Sequence, residues 1–155
     1  MIKEGFKEMT MEGKIQQISV FARNEPGRIK RITEVLSCEK INIRAITIAS
    51  GDDYGVIKLL VSDPRRAYRV LKREGFSVAL NKVIAVQMED KPGGLYRLLE
   101  ILAENEINVE DAYGFVIKSG ETAVLVINVK DIEKGIKILS QQPVKLLVEK
   151  DLYEL

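Results

Sequence analysis

Ile18, Val20 and Ala22 alternate with Ser19, Phe21 and Arg23, the two-residue period of a strand with one buried face. Asn24-Glu25-Pro26-Gly27 interrupts the alternation. From Arg28 to Lys40 the apolar positions take i, i+3, i+6, i+7 spacing, which predicts an amphipathic helix entered just after a proline. Asn42 marks its end. Ile43 to Ser50 is rich in β-branched residues, Gly51-Asp52-Asp53 reads as a turn, and Val56 to Val61 as the returning strand of a hairpin. Asp63-Pro64 supplies a cap residue and then a first-turn proline for a second helix running to about Glu74. After Gly75 the chain extends again from Phe76 to Leu80.

This order of strand, helix, strand, strand, helix, strand then repeats. Pro26-Gly27 returns as Pro92-Gly93, Ile29, Ile32, Val35 and Leu36 as Leu95, Leu98, Ile101 and Leu102, and Ile41-Asn42-Ile43 as Ile107-Asn108-Val109, all 66 residues on. Further along the offset grows to 68, so that Asp63, Ala67, Val70 and Leu71 match Asp131, Gly135, Ile138 and Leu139. The change places a two-residue insertion near Lys118-Ser119-Gly120-Glu121, as expected of a hairpin loop. The second set of elements is Val83 to Glu89, Leu95 to Glu104, Val109 to Ile117, Ala123 to Val129, Ile132 to Ser140 and a last strand around Val144 to Glu149. Right-handed crossovers turn each βαββαβ set into an antiparallel sheet with both helices on one face. The expected fold is α+β, two ferredoxin-like repeats, with a leader over residues 1–14, a first domain over 15–81 and a second over 82–155. Ala123 to Ile127 is apolar on both sides of its strand, so a partner sheet or helix is expected on the helix-free face of the second repeat.

Composition sharpens this picture in three ways. Units of this size bury only about 60% of their unfolded surface, so each repeat is expected to pack on the other or on a second chain, as in a homodimer. Residues 15–81 carry 12 basic and 7 acidic groups while 82–155 carry 9 and 13, and such opposite signs favour association of the repeats. The leader mixes three lysines with three glutamates, no run suits a membrane span, and the one cysteine cannot form an internal disulfide. A cytoplasmic protein with a fraying N-terminus is the expectation.

The chain has no histidine, which removes His-dependent nucleophilic systems and the commonest metal ligand. Cys38 lies off the apolar stripe of its helix and reads as a surface residue. The acidic pairs Asp52-Asp53, Glu89-Asp90 and Glu110-Asp111 are explained by turns and strand ends, so no catalytic residue, metal or cofactor is expected. Arg65, Arg66, Arg69, Lys72 and Arg73 form a basic helix face, and the element order is shared with RNA-recognition modules. Against that alternative, Val56 to Val61 offers no aromatic residue, and Tyr113 and Phe115 have no basic company.

The two interrupting loops carry the candidate binding chemistry. A helix start offers unpaired N–H groups and partial positive charge, and glycine allows close approach, so a carboxylate suits the position. Asp90 is placed to receive an ammonium group. Asp90-Lys91-Pro92-Gly93-Gly94-Leu95 followed by Ile107-Asn108-Val109 resembles the ACT domain, and Asn24-Glu25-Pro26-Gly27 with Ile41-Asn42-Ile43 is a second, weaker match. The resemblance covers about residues 15–150. It implies a non-catalytic, allosteric regulatory module binding an amino acid or related metabolite between paired domains. By position, Asp90, Pro92, Gly93, Gly94, Leu95 and Asn108 would line one site, and Asn24, Pro26, Gly27, Arg28 and Asn42 another. Arg28 stands where the second copy has Gly94, so the second loop is expected to be the better site. An alternative is a regulatory subunit of a biosynthetic enzyme, similar to the small subunit of acetolactate synthase.

Overall fold

The computed structural model describes residues 14–153 of the chain; the expected fraying of the leader falls outside them except at Lys14. Two compact units emerge, residues 16–81 and residues 82–155, with Lys14 and Ile15 clustering with the latter.

The first repeat contains β1 (Lys14–Arg23), α1 (Arg28–Cys38), β2 (Ile43–Ser50), β3 (Tyr54–Val61) and α2 (Pro64–Arg73), and it ends in β4 (Ser77–Glu89). Its strand order is β2-β3-β1-β4, with β3 antiparallel to both neighbours. The alternation in β1 sends Ile18, Val20 and Ala22 to the helical side, where they meet Ile32, Val35 and Leu36 of α1 and Ala67, Val70 and Leu71 of α2 in one buried cluster. Truncating a fully buried member such as Leu36 to alanine would cost roughly 2–5 kcal/mol. On the other face Ser19 is buried because its hydroxyl donates to Asn81 Oδ1 at 2.7 Å.

The second repeat continues β4 into α3 (Gly94–Glu104), β5 (Val109–Lys118), β6 (Thr122–Val129), α4 (Ile132–Leu139), β7 (Lys145–Leu146) and α5 (Glu149–Tyr153). The order here is β7-β4-β6-β5, the same arrangement with the last strand beside the first. Ile84, Val86, Leu98, Leu102, Leu125, Ile127, Ile136 and Leu139 make its core. Asp63 and Asp131 cap α2 and α4 alike, each accepting from the backbone N–H three residues on, at 3.1 and 3.0 Å. Each such cap is worth about 1 kcal/mol.

Four boundaries differ from the sequence reading. The first helix does not run to an end at Asn42: it stops at Cys38, and Lys40 takes a left-handed φ of 56° while Ile41 N–H bonds back to Leu36 O. Glu106, with φ of 57°, and Ile107 N–H to Leu102 O repeat this closure after α3. The two inserted residues do not enlarge the turn, since residues 51–53 and 119–121 are equal loops; they lengthen β5 and are absorbed as a register irregularity between Val116 and Lys118. The extended stretches ending at Leu80 and starting at Val83 are one strand, β4. The last strand shrinks to two residues because Asp151 Oδ2 accepts from Val148 N–H at 3.0 Å and starts α5.

The expected cover on β6 comes from within the chain. Val124 and Val126, which face away from the helices, are as buried as Leu125 and Ile127 in the single polypeptide. Leu147 and Leu152, beside and within α5, are buried too, and neither belongs to the helix-side cluster.

Candidate functional site

Both β-to-α loops end on a glycine in the left-handed region, Gly27 at φ 84° and Gly93 at φ 85°. Neither helix has a side-chain cap. Arg28 N–H reaches Glu25 O at 3.4 Å and Gly94 N–H reaches Lys91 O at 3.0 Å; Arg31 and Arg97 N–H then bond to the glycine carbonyls at 3.0 Å. The amides between, of Ile29 and Lys30 and of Leu95 and Tyr96, have no backbone acceptor among the described residues. The start of each helix therefore keeps the partial positive charge of unspent N–H groups.

Charged side chains gather at the same places. In the first repeat Arg28 pairs with Glu25. In the second, Arg97 Nη2 lies 2.8 Å and Lys91 Nζ 3.1 Å from Glu89 Oε2. Arg97 Nη1 sits 3.7 Å from where a Cβ on Gly93 would stand, so the guanidinium lies back against the loop. The Lys91 hydrogen bond, reinforced by Arg97, holds the Glu89 carboxyl below the usual carboxylate range.

The residues singled out from sequence fall into three groups. Asn24 and Asp90 both tie their loop to the neighbouring hairpin, with opposite polarity: Asn24 Nδ2 donates to Gly51 O at 3.1 Å, whereas Asp90 Oδ2 accepts from Gly120 N–H at 2.7 Å. The Asn-to-Asp difference thus follows what the hairpin presents, a carbonyl in one copy and an amide in the other. Pro26, Gly27, Pro92, Gly93 and Leu95 are exposed around the helix starts, and Arg28 is half-buried. Gly94 is buried for a reason of its own, since a Cβ there would stand 2.1 Å from Glu89 O. Asn42 and Asn108 stand at the other end of their helices, about 16 Å away along eleven helical residues. Asn42 N–H donates to Ser62 Oγ at 2.9 Å, and Asn108 lines a cavity of ≈ 630 Å³ with Lys130 and Asp131.

A cleft of ≈ 470 Å³ opens beside Gly94, walled by Met88, Glu89, Arg97, Leu98, Ile101 and Val144. A smaller cavity of ≈ 330 Å³ lies at the first loop, between Arg23, Asn24, Glu25 and Asp52, Asp53, Tyr54. Cys38 is exposed as expected, and among the described residues no group of three or more His, Cys, Asp or Glu side chains could hold a metal. Within the same residues no helix is long and apolar enough to cross a membrane.

The family model for an ACT domain pair matches residues 13–155. The chain belongs to the ACT domain pair family. A Bacteroides thetaiotaomicron protein of known crystal structure is 35% identical to this ACT pair over 93% of this chain and 99% of its own, with a TM-score of 0.86. The ligand-free regulatory subunit of aspartate kinase from Thermus thermophilus shares the fold at 14% identity and a TM-score of 0.61, over 85% of this chain and 94% of that one. The corresponding subunit from Thermus flavus follows at 14% identity and 0.55, covering 85% and 97%. Curated proteins provide no match.

In this ACT pair, sequence reasoning missed Met88, Glu89, Arg97, Ile101 and Val144. A usable signal existed in the alignment of the two copies, where Arg28 becomes Gly94 and Phe76 becomes Val144. Both changes remove bulk on the same side of α3. Chemically, the second helix start offers amides and a guanidinium for an anion, with a carboxylate beside them for a cation.

Proposed function

We propose that this ACT pair is a non-catalytic regulatory protein that binds an amino acid or related small metabolite at its β-to-α loops, with the second loop the stronger site. The observation that carries this reading is the start of α3. There, unspent backbone amides and Arg97 present positive charge within reach of the Glu89 carboxylate, the charge order of a zwitterion. Asp90 is held on Gly120 and does not line the cleft, whereas Glu89 does, so Glu89 takes the ammonium-receiving role. At the first loop the Arg28–Glu25 pair supplies a weaker version, with Asn24 and Gly27 beside it.

Thermal denaturation of the purified protein against each common amino acid is the direct test. A ligand at about 100 times its Kd should stabilise the fold by about 2.7 kcal/mol. Arg97→Ala should remove that gain while leaving the unliganded midpoint nearly unchanged, because an exposed ion pair contributes only about 0–1 kcal/mol. No stabilisation by any amino acid would overturn the reading. Gly94→Arg is unsuitable for this purpose, since its Cβ alone disrupts the loop.

A second reading, a dedicated regulatory subunit of an amino-acid biosynthetic enzyme, is favoured by the fold shared with a regulatory subunit of aspartate kinase. Co-purification with a large catalytic chain from the native source would support it, and isolation of this chain alone would count against it. The dimer expected of such modules is read from the same preparation by sedimentation.

A further inference from the structure

We infer that the cleft between Gly94 and Val144 is the side-chain pocket of the second site, and that the ligand is an α-amino acid with an apolar side chain. The inference rests on the amino-acid reading above and specifies the ligand within it. At ≈ 470 Å³ the cleft is of small-molecule size. Its inner wall is Met88 from β4, Leu98 and Ile101 from α3, and Val144 before β7. Leu98 belongs to the buried core, and the other three are only half-buried against it, so they keep apolar surface turned toward the opening.

Polar residues line the rest of the cleft, among them Gln87 and Lys145, which pair across β4 and β7. Glu89 ends β4, Arg97 stands one turn into α3, and Glu121 comes from the β5–β6 hairpin. A ligand with its carboxylate on the Arg97 guanidinium and the amides of Leu95 and Tyr96, and its ammonium on Glu89, directs its Cα substituent inward. That substituent then meets chiefly Met88, Leu98, Ile101 and Val144, against which a charged group would lose hydration. The Arg97–Glu89 pair is more than half exposed on both sides and holds little energy, so a zwitterion can part it and satisfy each member.

The first repeat carries larger side chains at the equivalent positions. Arg28 stands at the position of Gly94, with its Nε buried, and Phe76 stands at the position of Val144, packed against the first core. The second copy thus carries smaller residues at two positions that line its cleft. Val144→Phe restores the first copy's side chain and should fill the pocket without touching Arg97, Glu89 or the helix start.

Isothermal titration of the full chain with leucine, isoleucine, valine, methionine and phenylalanine, against aspartate, lysine and serine, tests the assignment. At least one apolar amino acid should bind about tenfold or more tighter than the polar set, and Val144→Phe should weaken it by about tenfold or more. Ile101→Phe serves as a second filling variant, and circular dichroism with thermal melts confirms that each variant is folded. If an amino acid binds but ignores both filling variants, or if polar side chains bind best, the pocket is overturned while the regulatory reading stands. If none of the eight binds the wild-type chain at millimolar concentration, the pocket is overturned, and the thermal screen of all common amino acids decides the regulatory reading.

Discussion

The two repeats share a backbone and differ in what fills it. Each enters its first helix through a left-handed glycine, leaves it through a left-handed non-glycine residue and caps its second helix with aspartate. These are positions where the chain must turn, and duplication preserves them. Other side chains have diverged: Arg28 against Gly94, Phe76 against Val144, Glu39 against Asn105. The first copy is filled and cross-braced by ions, with Glu39 bonded to Arg66 at 2.8 Å and Arg73 at 3.2 Å, and Arg31 to Glu74 at 2.9 Å. At the matching places the second has Asn105, Lys134, Gln141 and Gln142, and it carries the open cleft. One backbone thus carries two different fillings.

The comparison is tested most severely at the first helical position. Gly94→Ala brings a methyl within 2.1 Å of Glu89 O, a backbone atom that cannot step aside. We expect a loss of roughly 3 kcal/mol in urea denaturation, from overpacking against the main chain. Arg28→Ala, at the equivalent place in the first repeat, should cost below about 1 kcal/mol. Equal costs would mean that the two loops are not built differently.

Next come the hairpin latches. Asp90→Ala removes the acceptor for Gly120 N–H and should cost about 1 kcal/mol, and Asn24→Asp, which points a carboxylate at the Gly51 carbonyl, should cost a similar amount. Asp90→Asn should be milder than Asn24→Asp, because an amide can still present its oxygen to Gly120 whereas a carboxylate has nothing to donate to Gly51. Chemical denaturation midpoints rank the three variants, and the reverse ranking would refute the polarity argument.

Much of the fold could be read from the chain because its alternation is clean. Ile18, Val20 and Ala22 mark the buried face of β1, and Asp63-Pro64 marks a helix start whose cap the structure contains. Register between the copies followed from paired Pro-Gly steps. What escaped depends on the folded path of the backbone. No residue pattern distinguishes a glycine needed for a turn, such as Gly93, from one needed because the Glu89 carbonyl, five residues back, lies against it, as at Gly94. Likewise Val144 reads as one more strand valine until α3 and β4 are brought beside it. The latch roles of Asn24 and Asp90 required knowing that the hairpin returns to the loop. Lys40 escaped for a different reason, since the first helix was expected to end at Asn42, two residues on.

That last point gives a prediction of opposite sign. Lys40 and Glu106 hold the left-handed position that ends α1 and α3, where a Cβ costs energy that glycine avoids. Lys40→Gly and Glu106→Gly should each stabilise the protein by roughly 0.5–1 kcal/mol in thermal or urea unfolding. Similar gains in both repeats would confirm that helix exits, unlike cleft walls, remained equivalent after duplication.

The smallest expected effect is a difference in pH response. Hydrogen bonds from Arg66, and then Arg73, hold the Glu39 carboxyl below its ordinary value of 4.5. A depressed carboxylate contributes stability that is present above its unfolded value and is lost as pH falls through the folded one. Glu39 remains partly exposed, so the contribution is screened by solvent and salt. The unfolding midpoint of Glu39→Gln should therefore lie slightly below wild type at about pH 7 and converge with it by about pH 3. Asn105 fills the corresponding position in the second repeat and, among the described residues, its side chain bonds its own helix, through Nδ2 to Ile101 O at 2.7 Å. Asn105→Gln should consequently give a difference from wild type that does not change with pH. A constant offset for Glu39→Gln across the same range would show that the ionic brace between α1 and α2 contributes nothing, and that the repeats differ in filling alone.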